Sequence, residues 1–191
     1  LPEADQRHDL PQIMGPQDAS RPLVVLDPGH GGFDPGAGQG DIKEKTVALQ
    51  IALELRDKLI AGGGIRVAMT RDEDRFVTLS ECPAIARALG ADLFVSIHAD
   101  SVDNEGAHGA SVYVLSEKGS SEAVARFAAR ENRADTVNGV SLSDANNTVD
   151  AILLDLSRRE ASDSSMSVAQ FILRELQGKW PLHYDTVASA S

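Results

Sequence analysis

Two histidines and a glutamate stand at the ends of predicted elements in this 191-residue chain. His30 follows an apolar run at residues 23–27 in a turn rich in glycine and proline, and His98 ends a second apolar run at residues 93–97. Glu44 begins a helical pattern between them. In zinc hydrolases, two imidazoles and a carboxylate can bind the metal together, and the fourth coordination position stays open for water or substrate. The three residue types therefore predict a hydrolytic zinc site.

Each of these residues also has a simpler interpretation when it is considered alone. A histidine at the end of a strand is more often solvated or satisfied by a neighbour than bound to a metal. Glu44 lies in the first turn of its predicted helix, where a carboxylate interacts favourably with the helix dipole. Spacing alone therefore leaves both interpretations open.

The elements that must position these residues alternate along the chain. Strands are expected at 23–27, 65–70, 93–98 and 110–115, and helices at about 43–61, 80–89, 121–133 and 148–176. In the first helix, an apolar stripe is predicted at Val47, Ile51, Leu55 and Leu59. The alternation predicts an α/β fold, a single domain with a mixed, mostly parallel sheet and helices on both faces. Functional groups in such sheets lie at the carboxyl ends of strands, where His30 and His98 fall.

Composition excludes several classes of function. The chain carries 18 basic and 29 acidic residues, a net charge of −11, which would repel a phosphate backbone and disfavours nucleic acid as a partner. Apolar stretches stay well short of the roughly 20 residues that a membrane helix needs. Residues 1–22 combine prolines and charges without apolar periodicity, so we expect a flexible leader or linker, with folding beginning near Leu23.

Two further residues are assigned structural roles. The single Cys82 cannot form an intramolecular disulfide, and we expect it to pack in the core rather than to act as a nucleophile. Arg71 follows the second predicted strand, and we expect it to pair with Asp72 or Asp92.

Five segments around these residues carry a more specific signal: Leu26-Asp27-Pro28-Gly29-His30-Gly31-Gly32, Asp34-Pro35-Gly36-Ala37, Lys43-Glu44-Lys45, Thr70-Arg71 and Ala91-Asp92-Leu93-Phe94-Val95-Ser96-Ile97-His98-Ala99-Asp100. Together they closely resemble the zinc-dependent N-acetylmuramoyl-L-alanine amidases, peptidoglycan amidase family 3, in order and spacing from about residue 23 to 115. The later helices resemble the branch that acts in cell separation of Gram-negative bacteria. The resemblance implies hydrolysis of the amide between N-acetylmuramic acid and the L-alanine of the stem peptide. It also implies that His30, Glu44 and His98 are the zinc ligands.

The catalytic base is not assigned to any residue of this sequence. In the family that the chain resembles, the base is a glutamate on a late strand, and we expect it beyond Ser191. The last predicted helix is followed by no predicted strand, so the C-terminal strands of the fold are expected to be missing from residues 23–191. These residues alone should therefore bind zinc far better than they hydrolyse an amide.

The resemblance further implies regulation and a cellular setting. A regulatory helical region is expected at about 119–160, and within it Glu131 is the candidate for a fourth zinc ligand that blocks the site until a LytM-type activator binds. The simpler interpretation of Glu131 is a solvated residue that pairs with Arg126 or Arg130. We expect a monomer that is exported to the periplasm and acts on septal peptidoglycan.

Two other functions remain open at this stage. The chain could be a zinc-containing module that binds the cell wall or a partner without hydrolysis, or a zinc amidohydrolase with another substrate. The presence of the glutamate base separates the first alternative from the amidase, and the amide that is cut separates the second.

Overall fold

The computed structural model describes residues 10–100, 108–115 and 164–190. These residues fall into two compact units, one within Leu1–Ser101 and the other within Val102–Ser191. None of the helices that the structure describes combines the length and the apolar character that a bilayer span requires.

The first unit is built on a three-stranded parallel sheet with the order β4-β1-β5. A two-stranded antiparallel hairpin, β2 and β3, leads directly into the long helix α1. The elements are β1 (Leu23–Pro28), β2 (Gly38–Gln39), β3 (Ile42–Lys43), α1 (Glu44–Ala61), β4 (Arg66–Met69), α2 (Glu81–Leu89) and β5 (Leu93–Ile97). The central strand β1 is buried along its whole length. The predicted α/β class and the parallel sheet are thereby confirmed.

Both faces of this sheet are covered by a helix. Because side chains alternate along a strand, Val24 and Leu26 point to one face, where they pack with Ala52 of α1. Leu23 and Val25 point to the other face, which includes Ala86 of α2. A central strand that is apolar on both faces is typical of a parallel sheet between helices.

Helix α1 turns a different stripe towards the sheet from the one predicted. Ile51, which the predicted stripe included, is 46% exposed, whereas Ala48 and Ala52 are fully buried. Leu55 and Leu59 pack against the core as expected. The buried line therefore runs through residues 48, 52, 55 and 59, and the small alanine side chains allow the helix to lie close to the sheet.

The predicted flexible leader is too long. Met14 forms an antiparallel bridge with Val67 of β4, with backbone N–H to carbonyl distances of 2.8 and 2.9 Å in the two directions. Ile13 and Met14 also pack against opposite faces of the core. The outer side of β4 thus pairs with a short segment from a stretch whose sequence shows no strand pattern. Residues 1–9 of the predicted leader lie outside the described residues.

The second unit contains a strand that the sequence did not predict. Strand β6 (Tyr113–Leu115) pairs in parallel with β7 (Ala188–Ala190), so the prediction that no strand follows the last helix was wrong. Alanine and serine have weak strand propensity, so pairing with β6 rather than local pattern defines β7. Residues 164–176 are helical, with Ala169 and Leu173 buried. The predicted helix at 121–133, the whole regulatory region at 119–160 and Glu131 lie outside the described residues.

Candidate metal centre

The three candidate ligands meet at one edge of the sheet in the first unit. His30 follows β1 by two residues, and His98 comes directly after β5. These strands are parallel neighbours, with Pro28 opposite Ile97, so their carboxyl ends lie together. Glu44 is the first residue of α1 and is delivered by the β2–β3 hairpin. Among the described residues, these three form a group whose possible ligand atoms all lie within 4.8 Å of one another.

The distances within this group suit a single metal ion. Nε2 of His30 lies 3.2 Å from Oε2 of Glu44, and Nδ1 of His98 lies 3.2 Å from Oε1. The two imidazole rings are nearly perpendicular, with centroids 5.1 Å apart. Zinc binds imidazole nitrogen and carboxylate oxygen at about 2.0–2.2 Å, so two ligand atoms of a tetrahedral site lie about 3.4 Å apart. The ligand types and their spacing therefore fit a small divalent cation.

Glu44 is held as a carboxylate although it is buried. Its side chain is fully buried, which raises the cost of the charge. The backbone N–H groups of Ala37 and Ala99 each donate to a different carboxylate oxygen at 2.8 Å, and both imidazoles lie against it. Burial is the largest single influence and opposes ionisation, but these hydrogen bonds together outweigh it and hold the pKa of Glu44 well below its usual range. The ionised form is the one that binds a metal.

Asp34 orients the ring of His30. Oδ2 of Asp34 lies 2.8 Å from Nδ1 of His30, and Oδ1 accepts a hydrogen bond from the N–H of Gly36 at 3.0 Å. With a metal bound, an imidazole that donates through Nδ1 would present the lone pair of Nε2 to the ion, and Nε2 is the atom that faces Glu44. In the sequence, Asp34 stands out only as part of a motif, with no role assigned to it. Its spacing of four residues from His30 within a tight turn is the signal that could have indicated one.

The turn that carries His30 has an unusual backbone. His30 has a φ of 60°, and the two glycines that follow it also have positive φ values, 134° at Gly31 and 57° at Gly32. A non-glycine residue in the left-handed region carries backbone strain, which tends to occur at functional sites. Reciprocal backbone hydrogen bonds of 3.0 Å between Gly31 and Asp34 close the turn.

The backbone at two glycines packs directly against the candidate ligand side chains. A Cβ atom at Gly29 would overlap the ring of His98. A Cβ atom at Gly36 would lie 2.5 Å from Cδ2 of His30 and 2.7 Å from Oε2 of Glu44. The sequence indicates only that these glycines form turns, and the structure shows that they also let the ligand side chains approach the backbone closely.

Arg71 is structural, as predicted, but the predicted carboxylate partner was wrong. Its buried guanidinium donates to four backbone carbonyls, those of Pro28, Gly29, Lys45 and Glu73, at 2.8–3.1 Å. Asp92 instead accepts the N–H of Leu23 at 2.8 Å. Pairing with carbonyls from distant segments depends on the fold, so sequence neighbourhood is a poor guide to it.

Comparison with protein families matches residues 24–191 to the family described as N-acetylmuramoyl-L-alanine amidase. The chain belongs to this amidase family. It is 42% identical over 193 aligned positions to N-acetylmuramoyl-L-alanine amidase AmiC of Neisseria meningitidis, a match that covers 100% of this chain and 46% of the relative. It is 41% identical over 178 positions to AmiA of Escherichia coli, which covers 92% of this chain and 61% of the relative.

The chain thus spans about half to two thirds of the length of these relatives. Among solved structures, it is similar to the catalytic domain of CwlV, an N-acetylmuramoyl-L-alanine amidase from Bacillus (Paenibacillus) polymyxa var. colistinus. That similarity has a TM-score of 0.48 at 34% identity and covers 54% of this chain and 57% of the other.

The close approach of Gly29 to His98 generates a first prediction. Gly29→Ala should displace the His98 ring and lower the free energy of unfolding by about 1–3 kcal/mol, the usual cost of overpacking. Urea denaturation measures the stability, and the NMR shifts of the ring protons report the displacement. Gly64→Ala is the matched control, because a Cβ atom there meets no atom of the described residues within 4 Å. Equal effects of the two substitutions would contradict the proposed role of Gly29.

Proposed function

We propose that this chain is the zinc-binding part of a peptidoglycan amidase, which hydrolyses the amide between N-acetylmuramic acid and the L-alanine of the stem peptide. The observation that carries the proposal is the close group of His30, Glu44 and His98 in a chain of this amidase family.

Each residue of the candidate metal site has a separate role in this proposal. Nε2 of His30, Nδ1 of His98 and the Glu44 carboxylate would hold the metal. When bound, zinc polarises a carbonyl group and lowers the pKa of water towards about 7. Glu44 supplies the negative charge of the ligand set, and Asp34 keeps the proton of His30 on Nδ1. Three protein ligands leave one position for the reacting group.

The general base is a separate requirement of the reaction. Hydrolysis needs a carboxylate within hydrogen-bond reach of the attacking water. We propose that a glutamate on a later strand of the amidase fold provides it, as the resemblance implies. The role is therefore not assigned to any of residues 1–191, and the activity is best assayed in a chain that continues past Ser191.

Metal analysis together with product analysis tests the proposal. We expect about one zinc per chain, loss of peptidoglycan hydrolysis on treatment with a chelator, and recovery on adding zinc. Mass spectrometry of the products should show stem peptides with a free L-alanine amino group. His98→Ala should lose the zinc, whereas His183→Ala, at an exposed histidine of the second unit, should retain it.

The possible outcomes separate the competing functions. Zinc near zero in the unaltered chain would refute the metal site. In a chain that continues past Ser191, bound zinc without any amide cleavage would favour a binding module, and cleavage of a different amide would favour another amidohydrolase.

The contact between Asp34 and His30 gives a quantitative prediction for the metal. Asp34→Ala should weaken zinc binding by about 10–100-fold, because partners that orient a histidine ligand commonly contribute that much to metal affinity. Competition with a fluorescent chelator measures the dissociation constant. Asp57→Ala removes an exposed carboxylate that pairs with its neighbour Arg56 and should leave the affinity unchanged. A wild-type affinity for Asp34→Ala would show that the hydrogen bond does not orient the ligand.

We also propose that this amidase is exported to the periplasm, acts at the septum, and is autoinhibited until a LytM-type activator binds. Support comes from the resemblance of the later part of the chain to the cell-separation branch. In this proposal Glu131 supplies the fourth zinc ligand in the resting state. Zinc accepts carboxylate oxygen as a ligand, so such a residue would exclude the substrate carbonyl.

Glu131→Ala tests this regulation. Removing the blocking ligand should raise the basal rate at least about tenfold and reduce the further stimulation by activator, since tenfold corresponds to only about 1.4 kcal/mol of blocking. Dye release from labelled peptidoglycan, measured with and without activator, gives both rates. Glu122→Ala serves as a control acidic substitution in the same predicted helix. An unchanged basal rate would refute the role of Glu131.

A further inference from the structure

Arg71 lies where the segments that carry all three candidate ligands meet. Its side chain is about 1% exposed, although it carries a charge. A buried guanidinium must be satisfied by hydrogen bonds, and here the acceptors are backbone carbonyls. Three of the four carbonyls belong to residues that lie one or two positions from His30 or Glu44 in the sequence.

The first two contacts fix the approach to His30. Nε of Arg71 donates to the carbonyl of Pro28 at 2.9 Å, and Nη2 donates to the carbonyl of Gly29 at 2.8 Å. These are the two residues before His30, whose positive φ requires the turn to be held in place. A rigid, planar group that binds both carbonyls defines the direction in which the chain leaves β1.

The third contact links this turn to Glu44. The same Nη2 atom donates to the carbonyl of Lys45 at 2.9 Å, one residue after Glu44 in the first turn of α1. One nitrogen atom therefore bridges the His30 turn and the start of the helix. Nη1 donates to the carbonyl of Glu73 at 3.1 Å, which holds the guanidinium on its remaining side.

His98 is connected to the same point through Gly29. The N–H of Gly29 donates to the carbonyl of Ile97 at 2.9 Å, and the ring of His98 lies against Gly29 so closely that a Cβ atom would overlap it. Fixing Gly29 therefore also fixes the residue that precedes His98. Arg71 touches none of the ligand side chains through these bonds and acts on their backbones.

We propose that Arg71 is a positioning residue that sets the separation of His30, Glu44 and His98 in advance of metal binding. The inference rests on the proposed zinc site. Its consequence is that loss of the guanidinium weakens zinc binding by more than the accompanying loss of stability explains. Lysine cannot replace arginine here, because a single ammonium group lacks the planar arrangement of donors that binds several carbonyls at once.

The test compares zinc affinity with stability in Arg71→Lys and Arg71→Ala. Chelator competition gives the zinc dissociation constant, and urea denaturation of the metal-free protein gives the stability. Both variants should bind zinc at least about tenfold more weakly than the unaltered chain, in the range seen for groups that support ligands. The visible absorption bands of bound Co²⁺ should shift, because they report ligand geometry. Millimolar guanidinium chloride should partly restore zinc affinity to Arg71→Ala only.

The matched control is Leu23→Ala, which removes a fully buried side chain at the opposite end of β1. It should lower the stability while leaving the zinc affinity within about twofold and the Co²⁺ spectrum unchanged, since independent sites do not couple. Folded Arg71 variants with wild-type affinity and spectrum would overturn the inference, as would an equal loss of affinity in Leu23→Ala. Absence of zinc binding by the unaltered chain would instead refute the proposed function on which the inference rests.

Discussion

The buried carboxylate of Glu44 is the feature on which the organisation of the site depends. An ionised group in the interior is unstable unless hydrogen bonds compensate for lost hydration. Here two backbone N–H groups, of Ala37 and Ala99, and two imidazoles surround it. Ala37 belongs to the turn after β1, and Ala99 follows His98. Satisfying this one charge therefore requires three separate segments to converge, and their convergence forms the candidate metal site.

Parallel strand pairing provides the rigid part of this convergence. Strands β1 and β5 are hydrogen-bonded neighbours that end at the same level, so the residues that follow them are brought together without a long loop. The apolar side chains of β1 pack against α1 on one face and α2 on the other, which fixes the edge of the sheet. The turns after the strands then set the positions of the ligand side chains. The positive φ of His30 shows that this placement requires local backbone strain.

Local sequence patterns predicted the helices and strands whose residues show a regular apolar pattern. The apolar runs of β1 and β5 placed these strands to within one residue, and the strand ends located His30 and His98. Pairings between distant segments were not predictable in the same way. The bridge of Met14 to Val67, and β7 with its small side chains, exist only because a partner strand lies beside them. The buried stripe of α1 differs from the predicted one because alanines, rather than the larger Ile51, face the sheet.

The buried charges of Arg71 and Glu44 are compensated by different groups, and this separation has a functional consequence. Arg71 is satisfied by carbonyl oxygens, and Glu44 by N–H groups and imidazoles. A direct ion pair between them would also satisfy both charges, but it would neutralise the carboxylate that a cation must meet. Because the guanidinium is directed to the backbone, it can organise the ligand segments while Glu44 keeps its negative charge for the metal. The same fold thus stabilises a cationic group beside a cation site without making the two compete for one carboxylate.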